Sequence, residues 1–548
     1  MKKAIFPVAL IGIIALSAFS VNNDRYFQIV KNLDIFATLF KEVNAYYVDE
    51  VNPNTLMQTG IEAMLNKLDP YTTYIGEDDI EDYLTVTTGE YGGIGALVDK
   101  KNGVSTVVMP YEGFAADRAG LRIGDQVLKI NDTEITDMPS DQIQKLLKGQ
   151  SDSEITMKIK RYGESETFEV KLKREKITID NVPFSGMIKE DIGYIRLTDF
   201  TTKAGAEVSA ALKSLKAEGA TKVILDLRGN PGGLLEEAIN VSNVFVQKGS
   251  EVVSTRGKLS AWTKTYHALN NPVDTDIPLA VLVDNGSASA SEIVAGVMQD
   301  YDRGVLIGRR TFGKGLVQQT RPLAYNSQLK VTTAKYYTPS GRCIQAIDYS
   351  NRNPDGSVGK IPDSLKVAFK TFNGRTVYDG GGLDPDKEIK KPTLSPIAYS
   401  LITNDHFFNY VTEYVYNRED SIKDVKSFRL SEKEYTDFIT WLKGKDYDYT
   451  TKVEKSINRL IETAKEEQYY ADIKAQIENL KKATLHNKDQ DLKHFKDEIK
   501  MLLEQEIASR YYLRRGIIES SFEKDKDILA AVSVLQNEKE YTQILKSQ

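Results

Sequence analysis

The stretch Val281-Leu282-Val283-Asp284-Asn285-Gly286-Ser287-Ala288-Ser289-Ala290-Ser291-Glu292-Ile293-Val294-Ala295-Gly296 reads as a short strand, a tight glycine-centred turn and the start of a helix. With Leu279 and Ala280 ahead of it, the apolar run shows no polar alternation, as expected for a strand covered on both faces. Small residues at the turn leave room for a substrate backbone. A serine at a helix N-terminus meets unpaired N–H groups and the positive end of the helix dipole, which stabilise developing negative charge. The competing reading is that Ser287, Ser289 or Ser291 only caps the helix, a task serine performs well.

Downstream, after a predicted strand at 305–307, comes Gly308-Arg309-Arg310-Thr311-Phe312-Gly313-Lys314-Gly315. It places one lysine between two glycines. A serine nucleophile needs a base. The four histidines (His267, His406, His486, His494) are scattered, and no G-x-S-x-G elbow exists. A lysine can substitute when neutral, and burial lowers its pKa from about 10.4 because desolvation disfavours the ammonium form. Gln318 could orient the amine by a hydrogen bond without adding charge. A solvated surface lysine is the plainer alternative. The segment also nearly spells a P-loop, but Gly315 stands where the Mg²⁺-binding hydroxyl belongs, and residues 316–322 read as extended rather than helical.

Upstream, Asp226-Leu227-Arg228-Gly229-Asn230-Pro231-Gly232-Gly233 leaves another predicted strand and turns into a helix. A di-glycine after proline exposes backbone N–H groups that suit an oxyanion hole, although an ordinary turn would look the same. Together, strands at 192–197, 223–227, 279–283 and 305–307, alternating with helices at 204–218, 234–245 and 289–300, make 176–395 an α/β unit.

Residues 85–175 differ: short strands, one helix at 140–147 and a glycine loop form a compact β-rich module. Residues 22–84 form a helical region with Phe36, Leu39, Phe40 and Val43 at helical spacing. Residues 396–548 are charged and helical, with a capping box at Ser431–Glu434 and long predicted helices at 451–483 and 489–512. Lys2 and Lys3 precede an uncharged, mostly apolar run from Ala4 to Val21, so 1–21 reads as an export signal or an N-terminal membrane anchor. The remainder is then expected outside the cytoplasm, in the periplasm or cell envelope.

Composition sets limits. The 548 residues are 41% hydrophobic and 27% charged, ordinary for folded domains, and the net charge of -6 argues against a nucleic-acid partner. A single cysteine, Cys343, excludes any intrachain disulfide and every metal site needing two thiolates. No metal and no organic cofactor is implied.

These motifs carry two resemblances. The run Ala119-Gly120-Leu121-x-x-Gly124-Asp125-x-Val127-Leu128-x-Ile130-Asn131 resembles a PDZ domain. That implies a peptide site in which glycine-loop N–H groups (Gly92, Gly93, Gly95) hold a terminal carboxylate. The strand edge at 94–98 would pair with the peptide, and Ile94, Leu97, Ile143 and Leu147 would line a side-chain pocket. The ordered set L-D-L-R-x-N-P-G-G (225–233), G-S-A-S-A-S-E (286–292), F-G-K-G-x-V-Q (312–318) and Y-Y-T-P-S-G-R (336–342) resembles the C-terminal processing (tail-specific) peptidases. Similarity runs from about Phe36 to about Ile389, with L-D-P-Y-T at 68–72 and G-G-L-D-P-D at 381–386.

The resemblance implies a multi-domain α+β protein, with a ClpP/crotonase-like α/β protease core, an inserted PDZ domain and helical ends. It implies Ser289 as nucleophile, Lys314 as general base and Gln318 as its orienting partner. It places the oxyanion donors on Ala290 and the Gly232-Gly233 turn. Substrates would be proteins or peptides with exposed C-terminal tails. The extension after 395 lies beyond the matched region and is expected to serve packing, self-association or an adaptor. The alternative is a catalytically inactive PDZ scaffold on a protease-like fold.

Overall fold

A computed structural model describes residues 5–353, 355–418, 421–484 and 487–546. Lys2 and Lys3 of the expected signal lie outside the described residues. The chain divides into two compact units.

The smaller unit holds residues 1–75 and 320–331. Helix Ile5–Tyr46 begins within the expected signal or anchor and continues past it. Beyond the apolar run at 4–21, no helix among the described residues is long and apolar enough to cross a membrane. Helix Pro53–Asn66, within the predicted helical region, starts on an Asn52 cap with proline at its first turn. The L-D-P-Y-T motif folds as an Asx turn, with Asp69 Oδ1 accepting from the Tyr71 and Thr72 amides at 2.9 and 2.8 Å. It leads into strand Thr73–Ile75, which pairs antiparallel with residues 328–330.

The larger unit contains the sheet that positions the site. Its strands lie in the order Phe184–Lys189, Ile192–Arg196, Lys222–Asp226, Leu279–Val283, Val305–Gly308 and Lys387–Glu388. All neighbouring pairs are parallel except the first. Successive side chains point to opposite faces, and here both faces are apolar. Leu225, Val281 and Val283 pack against helices Ala204–Ala217, Leu235–Asn243 and Ala290–Asp300. Ile224, Ala280, Leu282 and Ile307 pack on the other side against Ile528, Ala531, Val534 and Leu535. That second cover is helix Lys526–Gln536 of the C-terminal extension. The extension therefore completes the α/β core, which explains why the strands carry no polar face.

Within the extension, Phe407, Tyr410, Phe438 and Leu442 anchor a second, aromatic-rich core. The Ser431–Glu434 capping box forms as expected. The two long predicted helices are interrupted. The first splits into Lys452–Glu466 and Tyr470–Thr484, around Gln468 in the left-handed conformation. The second splits into Lys488–His494 and a helix from Lys496 to Ser521, itself kinked at Tyr512 and at Leu513 (φ 50°).

The β-rich module has strands Ala96–Lys101, Val104–Pro110, Gln126–Ile130, Glu154–Lys160 and Phe168–Lys173, in that spatial order, plus helix Ser140–Leu147. A two-stranded ribbon, Glu90–Gly93 with Glu175–Thr178, closes its base. Gly92 and Gly93 therefore sit in paired strand, not in an open carboxylate-binding turn. A Cβ on Gly92 would fall 2.0 Å from the Gly149 carbonyl oxygen, so the residue is needed for close backbone approach. Only Gly95, at φ +72°, keeps the expected loop conformation. Ile94, Ile143 and Leu147 are buried in the module's own core, and Leu97 is 42% exposed.

Candidate active site

The strand–turn–helix reading of 281–296 holds: strand Leu279–Val283 leads through the turn to helix Ala290–Asp300. Ser289 stands immediately before the helix with φ 54° and ψ −113°. A non-glycine residue at positive φ is strained and persists only where its surroundings enforce it. The two flanking serines supply part of that enforcement. Ser287 Oγ donates to the Leu227 carbonyl at 2.8 Å, and Ser291 Oγ donates to the Asn230 carbonyl at 2.9 Å. Both tie the serine turn to the 226–233 loop. Of the three serines, Ser287 and Ser291 are thus spent on structure.

The 226–233 loop packs directly on Ser289. A Cβ on Gly232 would come within 2.7 Å of the Ala288 carbonyl oxygen, 2.8 Å of the Ala290 nitrogen and 2.9 Å of Ser289 Cβ. At Gly233 (φ +155°) it would meet the Phe200 carbonyl oxygen at 2.4 Å. Neither position tolerates a side chain. The Gly232 N–H donates to Asn230 Oδ1 at 2.8 Å. That overturns the expectation of Gly232 as an oxyanion donor: its N–H is already used, and its contribution is the absent side chain. Asn230 is itself buried and held by the Leu197 carbonyl at 2.9 Å.

Lys314 is half-buried in the loop that leads to strand Leu316–Pro322. Gly313 is at φ +86°, and its Cβ would fall 2.5 Å from Ala346 Cβ; the Gly315 N–H donates to Gln345 Oε1 at 2.8 Å. The two glycines thus let the Tyr336–Gln345 segment close on the lysine backbone. Gln318 lies on the same strand and donates from Nε2 to Thr332 Oγ1 at 3.1 Å. This engages its amide nitrogen.

Glu292 joins these pieces, although the motif reading assigns it no role. Its carboxyl is fully buried and accepts from the Ser289 N–H (2.9 Å), the Lys314 N–H (2.9 Å), the Gly313 N–H (2.7 Å) and the Thr311 hydroxyl (2.5 Å). Burial pushes it up to about 7, against the pull of those four donors towards the ionised form. Ser289-x-x-Glu292 has capping-box spacing, the one sequence signal that could have singled it out.

A serine on a strained turn, a glycine turn pressed against it and a lysine loop tied to it by a buried carboxylate form the arrangement expected of a serine hydrolase site on an α/β core. Comparison with known proteins gives the family. Residues 191–355 match Peptidase family S41, residues 106–161 match the PDZ domain, and residues 397–535 match the family described as "Probable PDZ-protease, C-terminal helical domain". The chain is 37% identical over 354 residues to the carboxy-terminal-processing protease of Bartonella bacilliformis, covering 63% of this chain and 81% of that one. It is 34% identical over 388 residues to a "Probable CtpA-like serine protease" of Staphylococcus aureus, covering 70% and 75%. Among solved structures, the photosystem II D1 C-terminal processing protease aligns at 27% identity and a TM-score of 0.34, over 65% of this chain and 92% of that one. The chain belongs to peptidase family S41, as a PDZ-containing serine protease of the carboxy-terminal-processing type.

Proposed function

We propose that Ser289 and Lys314 form the catalytic dyad, and that the protein is exported and cleaves proteins whose C-terminal tails dock on the PDZ domain. The observation that carries the dyad is the pair of 2.9 Å bonds from the Ser289 and Lys314 amides to Glu292 Oε2. Neutral Lys314, oriented by Gln318 Oε1, takes the hydroxyl proton as Ser289 Oγ attacks the scissile carbonyl. The oxyanion is held by the N–H of Ala290, first residue of the serine helix, and by that of Gly233. Lys314 then protonates the leaving amine, and water releases the acyl group from Ser289.

Tail binding is supported by strand Ala96–Lys101 lying at the end of its sheet, where an added strand can pair. Export is supported by Lys2-Lys3 and the apolar run after them, which would either be removed or hold the protein at a membrane.

The test incubates purified protein with an unfolded substrate carrying an apolar tail, beside Ser289→Ala, Lys314→Ala and Lys314→Arg. Cleavage by the wild type alone is expected. Lys314→Arg is the sharpest arm, since arginine keeps the charge but cannot serve as a base near neutral pH. Activity retained there would refute the dyad, and a wild type that binds tails without cleaving them would favour a scaffold.

A further inference from the structure

Each of the two loops at the site begins with an arginine. Arg228 opens the turn that carries Gly232 and Gly233, and Arg309 opens the loop that carries Lys314. Their guanidiniums converge on the start of helix Lys526–Gln536. Asp527 Oδ2 accepts from Arg228 Nη1 at 2.9 Å and from Arg309 Nη1 at 3.1 Å, and its Oδ1 accepts from Arg309 Nη1 at 3.2 Å. Asp527 is only 3% exposed. Asp525 adds bonds of 2.9 and 2.8 Å to Arg228 Nη1 while capping the helix through the Asp527 and Ile528 amides.

The ring closes inside the core. Arg228 also grips buried Asp226, with Nη2 to Oδ2 at 2.6 Å. Arg309 Nη2 lies 3.7 Å from Asp284 Oδ2, and Asp284 Oδ1 accepts the Gly229 N–H at 2.8 Å. Asp527 is thus the one carboxylate in this ring that touches both arginines, and it comes from the C-terminal helical region. Without its charge, two partly buried guanidiniums would share the remaining acids, and a charge shielded from water and stripped of a partner relaxes its surroundings to find another.

We propose that Asp527 is a positioning residue of the protease, fixing the roots of the Gly232-Gly233 turn and the Lys314 loop relative to each other, so that the C-terminal helical region is part of the catalytic apparatus. This rests on the Ser289–Lys314 reading. Asp527 touches no reacting atom; it acts through Arg228 and Arg309.

The test uses the full chain. For wild type, Asp527→Asn, Asp527→Glu, Asp302→Asn and Ser289→Ala it measures kcat and KM on an unstructured peptide, labelling of Ser289 by a fluorophosphonate, and the melting temperature. Asp302 is a control: its buried pair with Arg375, at 2.5 Å, lies beyond the far end of the serine helix. Expected is a kcat loss of ~10–100-fold for Asp527→Asn, the scale of a small misplacement of reacting groups, with KM within about twofold and labelling slowed alike. Asp527→Glu should recover part of the loss, and Asp302→Asn should lower melting with kcat kept. Wild-type kcat in Asp527→Asn, or the same kcat loss in Asp302→Asn at matched melting temperature, overturns the proposal. If Asp527→Asn does not fold, Asp525→Asn must show the kcat-specific loss, and unchanged kcat there overturns it equally. Activity surviving Ser289→Ala would instead refute the dyad reading and the proposal together.

Discussion

The backbone amides of Ser289 and Lys314 donate to one and the same atom, Glu292 Oε2, at 2.9 Å each. A serine turn and a lysine loop far apart in the chain are thereby held by a single buried oxygen. The arrangement needs an acceptor at that point, and a carboxylate supplies it without offering a competing N–H.

Glu292→Gln is therefore expected to lower kcat by ~10–100-fold, because the new NH₂ must face at least one existing donor. The pH dependence has a defined sign. The folded-state value of about 7 lies above the ordinary 4.5, so the stability contributed by this group is complete below about pH 4.5 and is lost as pH rises through 7. Activity runs the other way, since four donors are best met by the ionised form. The Gln variant should lose that stability slope, read from urea midpoints across pH 4–8. An unchanged kcat and an unchanged slope would show that Glu292 does not align the loops.

Gly232→Ala should reduce kcat by ~100-fold or more while leaving the circular dichroism spectrum near that of wild type. The residue sits at φ +97°, and its added Cβ would press on the Ala288 carbonyl and the Ala290 nitrogen. Fluorophosphonate labelling of Ser289 gives the readout; normal labelling would mean that the loop moves aside.

In the PDZ domain, Gln144 Nε2 donates to the Val98 carbonyl at 2.5 Å, on the strand edge a bound tail would use. Gln144→Ala removes this competitor. A net hydrogen bond contributes about 0.5–1.5 kcal/mol, so tail peptides should bind ~2–10-fold tighter in calorimetry. Weaker binding would place the tail elsewhere.

Leu535 is buried against the outer face of the core sheet. Leu535→Ala is expected to destabilise the protease by about 2–5 kcal/mol, the usual range for a core leucine, read as a lower urea midpoint of Ser289-dependent activity. An unchanged midpoint would mean that the C-terminal helices are not structurally joined to the core.

Much of the fold was legible because it is written in local pattern. Apolar runs such as Leu279–Val283 announce strands buried on both faces, and the predicted PDZ helix at 140–147 matches the observed one residue for residue. The long C-terminal helices were less legible: the breaks at Gln468 and Phe495 carry no glycine or proline to signal them.

The amino-acid sequence by itself determined the order of the motifs, the identity of Ser289 and Lys314 as candidates, and the exclusion of metal sites built on two thiolates, because these depend on residue type and spacing. Only the tertiary structure decided the rest. It assigned the Gly232 N–H to Asn230, sent Ile94, Ile143 and Leu147 into the PDZ core, made Glu292 the link between the two loops, and laid the C-terminal helices over the open sheet face. The physical reason is common to all four. Periodicity tells a side chain that it will be buried, but its partner comes from a segment distant in the chain, and only packing brings the two together.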